Sequence, residues 1–369
     1  MRRELDSIEI PGEHEARERT WAVVSVALAE REPTPRQSHW PRIAVIAVAL
    51  LALLAAVVTP PGRAVLDEIR EVVGVERAQP ALFSLPAPGQ LLVASDSGVW
   101  VVQQNGSKRL LGDYREASWS PFGRFIAAVS ENELAAVEPN GGVRWTLARP
   151  GVRSPRWAGT EADTRIAYVD RTGLRIVAGD GTGDRLLIPG FRGDLAWKPT
   201  NSFVLAFVTS REVRVRDVQS GRLLWRRPTS GQSSIHWSTD GGRLLVRTEG
   251  TMRVYDERGR RLASESLQEG RRYVGARFRS GAREIAVARV GPSESRAYIL
   301  NGRQLGTGAG SFQDLEWSPN GRWLVVTWPT ADQWILVRAS GREILAVSNV
   351  SEQFRSRTFP RVEGWCCAP

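Results

Sequence analysis

The chain has 369 residues, 42% hydrophobic and 24% charged, a balance that excludes wholesale disorder and allows one large domain with a small appendage. Its net charge is +10, and Lys108 and Lys198 are the only lysines among its 50 basic residues. Acidic residues are interspersed and no basic run or helix stands out, so a soluble arginine-rich surface is expected and nucleic acid is an unlikely partner, with an anionic polymer or lipid headgroup as the other reading of the charge.

The first element follows Pro11 and Gly12. Residues 13 to 31 contain no helix breaker, and Ala16, Thr20, Val23, Val24, Ala27 and Leu28 share one helical face, with Glu13/Arg17 and Glu15/Arg19 spaced i,i+4. A short amphipathic helix is expected there, followed by an extended linker at 33 to 41 (PTPRQSHWP) that three prolines restrict. Residues 43 to 58 (IAVIAVALLALLAAVV) are uninterrupted apolar. As a helix they rise about 24 Å against a hydrocarbon core of about 30 Å, and Trp40 and Arg42 extend the run at the interface. No face is polar, which argues against a buried soluble helix. A cleaved signal peptide has a similar apolar region, but the leader before this one is long, so an uncleaved single-pass anchor is expected. Arginines flank both sides, so their count does not orient the span; a short leader before one span favours the amino terminus inside and the remainder outside the cytoplasmic membrane. Residues 65 to 73 (VLDEIREVV) are expected to form a short stalk helix ending at Gly74.

From residue 80 onward the chain is repetitive. Trp119, Trp157, Trp197, Trp237 and Trp317 precede small polar turns at gaps of 38, 40, 40 and 80 residues, Phe278 divides the double gap, and Phe83 lies 36 before Trp119. A second column of turn glycines, Gly106, Gly141, Gly181, Gly221, Gly259, Gly302 and Gly341, has the same number of members. Three of them sit in Asn-Gly pairs, where positive φ is expected at both turn positions. Between the columns lie β-rich runs such as RFIAAV, FVLAFV and RWLVVTW, each followed by two shorter runs, and the residues leading into each aromatic supply a fourth strand. Four strands at a forty-residue period make a propeller blade. The expected fold is all-β, a seven-bladed β-propeller with six or eight blades as alternatives, preceded by one transmembrane helix and a short amphipathic helix. Trp365 is expected to head one more strand, VEGW, that pairs with the first blade and closes the ring. The expected organisation is a leader at 1–41, a transmembrane helix at 42–59, a stalk at 60–79 and the propeller at 80–369.

WSPFGR at 119–124, WSTDGGR at 237–243 and WSPNGR at 317–322 resemble the signature of bacterial WD40-like, TolB-type propellers, with degenerate copies headed by Trp157, Trp197 and Phe278. The GH and WD dipeptides of eukaryotic WD40 repeats are missing. The resemblance implies an extracytoplasmic bacterial protein and a fold used mainly for protein contacts.

Catalytic groups are sparse. The histidines are His14, His39 and His236, so no zinc cluster and no Ser-His-Asp set is available, and neither GxSxG nor a phosphate loop occurs. No metal, cofactor or enzymatic activity is expected, and His236 and the repeat tryptophans are expected to be structural. Glu116, Asp194, Asp314 and Glu316 lie on the strands entering the ring, where they either hold a cation or basic ligand or are solvated around the channel mouth. Cys366 and Cys367 are adjacent, a spacing at which a routine disulfide is not expected; idle or buried thiols are, with an intermolecular or redox role as the alternative. The functional expectation is a membrane-anchored extracytoplasmic scaffold that binds a protein or cell-envelope partner, the alternative being a transmembrane sensor whose leader binds a cytoplasmic regulator.

Overall fold

A computed structural model describes residues 78–79, 84–160, 162–199, 203–340 and 343–367, all within the unit Leu66–Pro369. The leader, apolar run, stalk helix, Phe83 and Gly341 lie outside the described residues. Among those described, no helix is long and apolar enough to cross a membrane.

The described residues form a seven-bladed β-propeller, each blade an antiparallel sheet of four strands. The innermost strands run Arg361–Cys366 for blade 1, then Glu116–Trp119, Arg153–Gly159, Leu195–Trp197, Ser234–Trp237, Arg272–Phe278 and Leu315–Trp317 for blades 2 to 7. Each touches the next and the last touches the first, so the ring is closed. Blade 1 takes its other three strands, Gln90–Ser95, Gly98–Val102 and Lys108–Gly112, from the start of the domain and its inner strand from the end. Trp365 thus takes the inner-strand position expected of it.

The reason for the aromatic column is visible in the register. Each repeat aromatic lies at or near the end of its inner strand opposite Ile or Leu on the second strand: Trp119 with Ile126, Trp157 with Ile166, Trp197 with Leu205, Trp237 with Leu244, Phe278 with Ile285, Trp317 with Leu324 and Trp365 with Leu91. These pairs sit in seven separate apolar clusters, one between each pair of neighbouring blades. Second strands such as Val204–Val208 and Trp323–Trp328 are buried along their whole length because both faces meet a neighbouring blade. The outermost strand Val143–Ala148 instead alternates or exposes its residues.

The signature turns owe their sequence to one hydroxyl. Ser120, Ser238 and Ser318, each under 5% exposed, accept from the backbone N–H five residues on at 2.9, 2.9 and 3.0 Å. Asp240 and Asn320 accept from the second and third serines, while Phe122 stands at that place in the first turn and is exposed. Gly321 has φ 63°, and a Cβ there would lie 2.4 Å from the carbonyl oxygen of Ser280 in the preceding blade.

Three features depart from the sequence reading. Positive φ is not shared by the Asn-Gly pairs: at 105–106 and 140–141 only the glycine adopts it, and at 301–302 only Asn301 does. At 103–107 the N–H of Gly106 donates to the Gln103 carbonyl and that of Gln103 to the Ser107 carbonyl, a type I turn closed by a left-handed glycine, so one positive φ suffices. Blade 7 gains a fifth strand, Ala78–Gln79, parallel to its outermost strand Ile344–Ser348. Cys366 and Cys367 are joined in a disulfide; Cys367 has a left-handed φ of 50°, which turns its side chain back toward its neighbour.

Blades 7 and 1 are further fastened by residues 349–360. Phe354 from this connection packs on Trp100 and Trp334 at 6.0 and 5.2 Å between ring centres. Asp96 accepts from the N–H groups of Arg357 and Thr358 and from the Thr358 hydroxyl, each at 2.8 Å, and these bonds hold its carboxyl below the usual range.

Candidate functional site

Side chains alternate along each inner strand. The residue two before the aromatic is buried between blades, as Ala117, Leu195, Ile235, Ala276 and Leu315 are, whereas the residue one before it, and Glu116, Ser154, Asp194, Ser234 and Asp314 three before it, are partly exposed on the side of the axial channel. This period places Glu116, Asp194 and Asp314 three before the aromatic, and Arg156, His236, Arg277 and Glu316 one before it. Glu116 and Glu316 lie on inner strands and Asp194 and Asp314 immediately precede them, together with cations that the composition had hidden.

Each carboxylate is engaged. Glu116 accepts from the N–H of Ser154 on the next blade at 2.7 Å, and Asp194 from that of Ile235 on the next blade at 3.1 Å and from its own neighbour Leu195 at 2.8 Å. These bonds satisfy N–H groups at Ser154, Leu195 and Ile235, on inner strands whose other edge pairs within the blade. Arg156 stands 3.9 Å from Asp194. Arg277 bridges to Asp314 at 2.9 Å and Glu316 at 3.3 Å on blade 7. Burial opposes the Arg277 charge, but Asp314 and Glu316 more than offset it and its pKa rises. Burial pushes Glu316 up, against the pull of Arg277.

Two further groups complete the channel. Glu363 enters through a bulge, since Leu92 pairs with Gly364 and Val93 with Val362, leaving Glu363 unpaired; burial raises its pKa. His236 is partly exposed to the channel. Burial and then the nearby Arg277, Arg247 and Arg156 hold its pKa well below 6.5, so it is neutral at physiological pH. Among the described residues no group of three His, Cys, Asp or Glu side chains is placed to hold a metal.

The channel opens at one face into a basin of about 1350 Å³. Its wall takes Arg153, residues 190–194, 208–210, 231–234 and 272–274, Arg247, Glu249, 311–313, Pro329, Thr358, Phe359 and Arg361. Nearly every blade contributes, so no local stretch of sequence announces the site. A smaller cavity of about 380 Å³ lies between blades 2 and 3, lined by Phe122, Phe125, Trp145 and Trp157 among others. Between the same blades, Asp184 accepts from Tyr168 at 2.6 Å and from Arg149 and Arg175, a buried polar lock whose members are satisfied by one another.

No family model and no curated protein matches this sequence. In fold, the chain is similar to the β-propeller domain of Cps50 (Swd1) from Myceliophteria thermophila, with a TM-score of 0.52 at 13% identity over 64% of this chain and 89% of that one. At that identity the likeness speaks to architecture, and the architecture it supports is a WD40-like seven-bladed β-propeller.

Proposed function

We propose that this propeller is a non-catalytic interaction module, tethered outside the cytoplasmic membrane by residues 42–59, that docks a protein or cell-envelope partner in the basin over its channel. The observation that carries the reading is the basin itself, wide, open at one face and floored by a closed ring. The channel's ionic groups support it, because Arg277 is spent on Asp314 and Glu316, and Asp194 on backbone N–H groups and Arg156. Propellers commonly present such surfaces to partners. The apolar run at 43–58 and the resemblance of the signature turns to TolB-type repeats supply the membrane and extracytoplasmic parts.

The test is occlusion. Ser210→Trp and Gln232→Trp fill the basin, and Arg283→Trp adds the same bulk to the turn between the first and second strands of blade 6. Partners captured from crosslinked membranes with the full chain are expected to be lost with the first two changes and kept with the third; the reverse pattern would move the docking site elsewhere. A reporter active only outside the cytoplasm, fused to the carboxyl end, is expected to be active, and an inactive but expressed fusion would refute the orientation.

A further inference from the structure

We propose that the basin is selective for an acidic, extended segment of its partner, an inference that rests on the docking role given to the basin above. Its wall carries Arg153, Arg192, Arg247, Arg272 and Arg361 against Asp194 and Glu249. Two of these charges are already answered: Asp194 accepts two backbone N–H groups and faces Arg156, and Arg361 pairs with Glu363 at 3.1 Å. Four arginines then face one exposed acid, Glu249.

Their donors are also available. Among the described residues the side chains of Arg153 and Arg272 make no hydrogen bond or ion pair. Arg247 gives one bond from Nη1 to the carbonyl of Tyr273 at 2.8 Å, and its Nε is shielded from water without a partner. Among the described residues Arg192 bonds carbonyl oxygens, those of Asp170, Phe191 and Arg171, and pairs with no carboxylate. Guanidinium groups in this state accept carboxylates in a two-point fork, an arrangement that one extended chain bearing several acids can satisfy at several points.

Size and wall chemistry narrow the class. The volume of about 1350 Å³ exceeds the roughly 300–1,000 Å³ of sites built for small molecules, so a run of residues fits better than a metabolite. Single-stranded nucleic acid needs exposed aromatic faces for its bases. Of the wall's aromatics, Phe191, Phe312 and Tyr273 are 4%, 2% and 1% exposed and only Phe359 is partly exposed, so the wall has no row of faces for successive bases.

Fluorescence anisotropy with the full chain tests this, using labelled peptides of alternating Glu-Gly, Gln-Gly and Lys-Gly and a labelled oligothymidylate. At about 0.15 M salt the Glu-Gly peptide is expected to bind tightest, with its advantage over Gln-Gly shrinking at about 1 M salt. Arg153→Gln with Arg272→Gln is expected to weaken Glu-Gly binding roughly 2- to 30-fold, from two exposed ion pairs, while leaving Gln-Gly binding unchanged. Near-UV circular dichroism checks that the variant is folded, and Ser210→Trp removes binding by bulk without touching a charge. Equal binding of Glu-Gly and Gln-Gly, both lost in Ser210→Trp, overturns the acidic selectivity and leaves the docking role standing. Failure of every peptide to bind, or binding indifferent to Ser210→Trp, overturns both. Tighter binding of oligothymidylate than of Glu-Gly overturns the assignment to a protein segment.

Discussion

Trp365→Ala is expected to open the ring at its seam. The indole is 7% exposed, belongs to the apolar cluster between blades 7 and 1, and lies opposite Leu91. Its Nε1 has no hydrogen-bond partner among the described residues, so the loss is one of apolar contact plus the cavity left behind. For a tryptophan truncated in a core this amounts to ~3–5 kcal/mol, a large share of the ~5–15 kcal/mol that holds a domain together. At ~2–4 °C per kcal/mol the midpoint falls by roughly 6–20 °C. The effect should be local before it is global, because strand Arg361–Cys366 pairs only with Gln90–Ser95 within its sheet. Calorimetry of the full chain measures the first quantity, and hydrogen exchange read by mass spectrometry the second. Faster exchange is expected in 90–95 and 361–366, with 204–208 on blade 4 unchanged. A midpoint shift below about 2 °C, equivalent to under ~1 kcal/mol, or an equal rise of exchange in every blade, would refute the seam.

Gly321→Ala should cost ~2–3 kcal/mol and Gly281→Ala only ~1, because both have left-handed φ, 63° and 69°, but only the first meets a carbonyl oxygen; chemical denaturation of the two variants compares them. Arg277→Met should destabilise by ~1–3 kcal/mol at neutral pH by leaving Asp314 and Glu316 side by side, and the deficit should shrink in acid as Glu316, which burial already pushes up, takes its proton, a trend visible in urea midpoints at two pH values. His236 is kept neutral in the fold while the unfolded chain protonates near 6.5, so stability is full above 6.5 and declines as pH falls toward the depressed folded value, by at most ~1.4 kcal/mol per pH unit; His236→Gln should remove that slope from the urea midpoints.

The blade count was legible because each blade needs one large aromatic near the end of its inner strand, and that need leaves a mark every forty residues even in the degenerate copies at Trp157, Trp197 and Phe278. Closure was legible for the same reason, through Trp365. The four channel carboxylates could be located from that column, but not their partners. Arg156 and Arg277 are two arginines among many, and only the rule that residues one before the aromatic face the channel singles them out. Glu363 follows no such rule, since a bulge brings it in. Strand Ala78–Gln79 is two residues long and carries no pattern. The basin was invisible because it is assembled from connections around the ring, with Arg153, Arg247 and Arg272 about 95 and 25 residues apart in sequence.

The docking role requires that partners meet the basin in the full-length protein. A compact aliphatic diazirine residue, without the bulk of an indole, placed at Ser210 and separately at Arg283, tests this directly in living cells, because both positions are exposed. The expected result is a discrete adduct from position 210, suppressed by Arg153→Gln with Arg272→Gln, and none from 283. Adducts from 283 alone, or the same adducts from both positions, would contradict it.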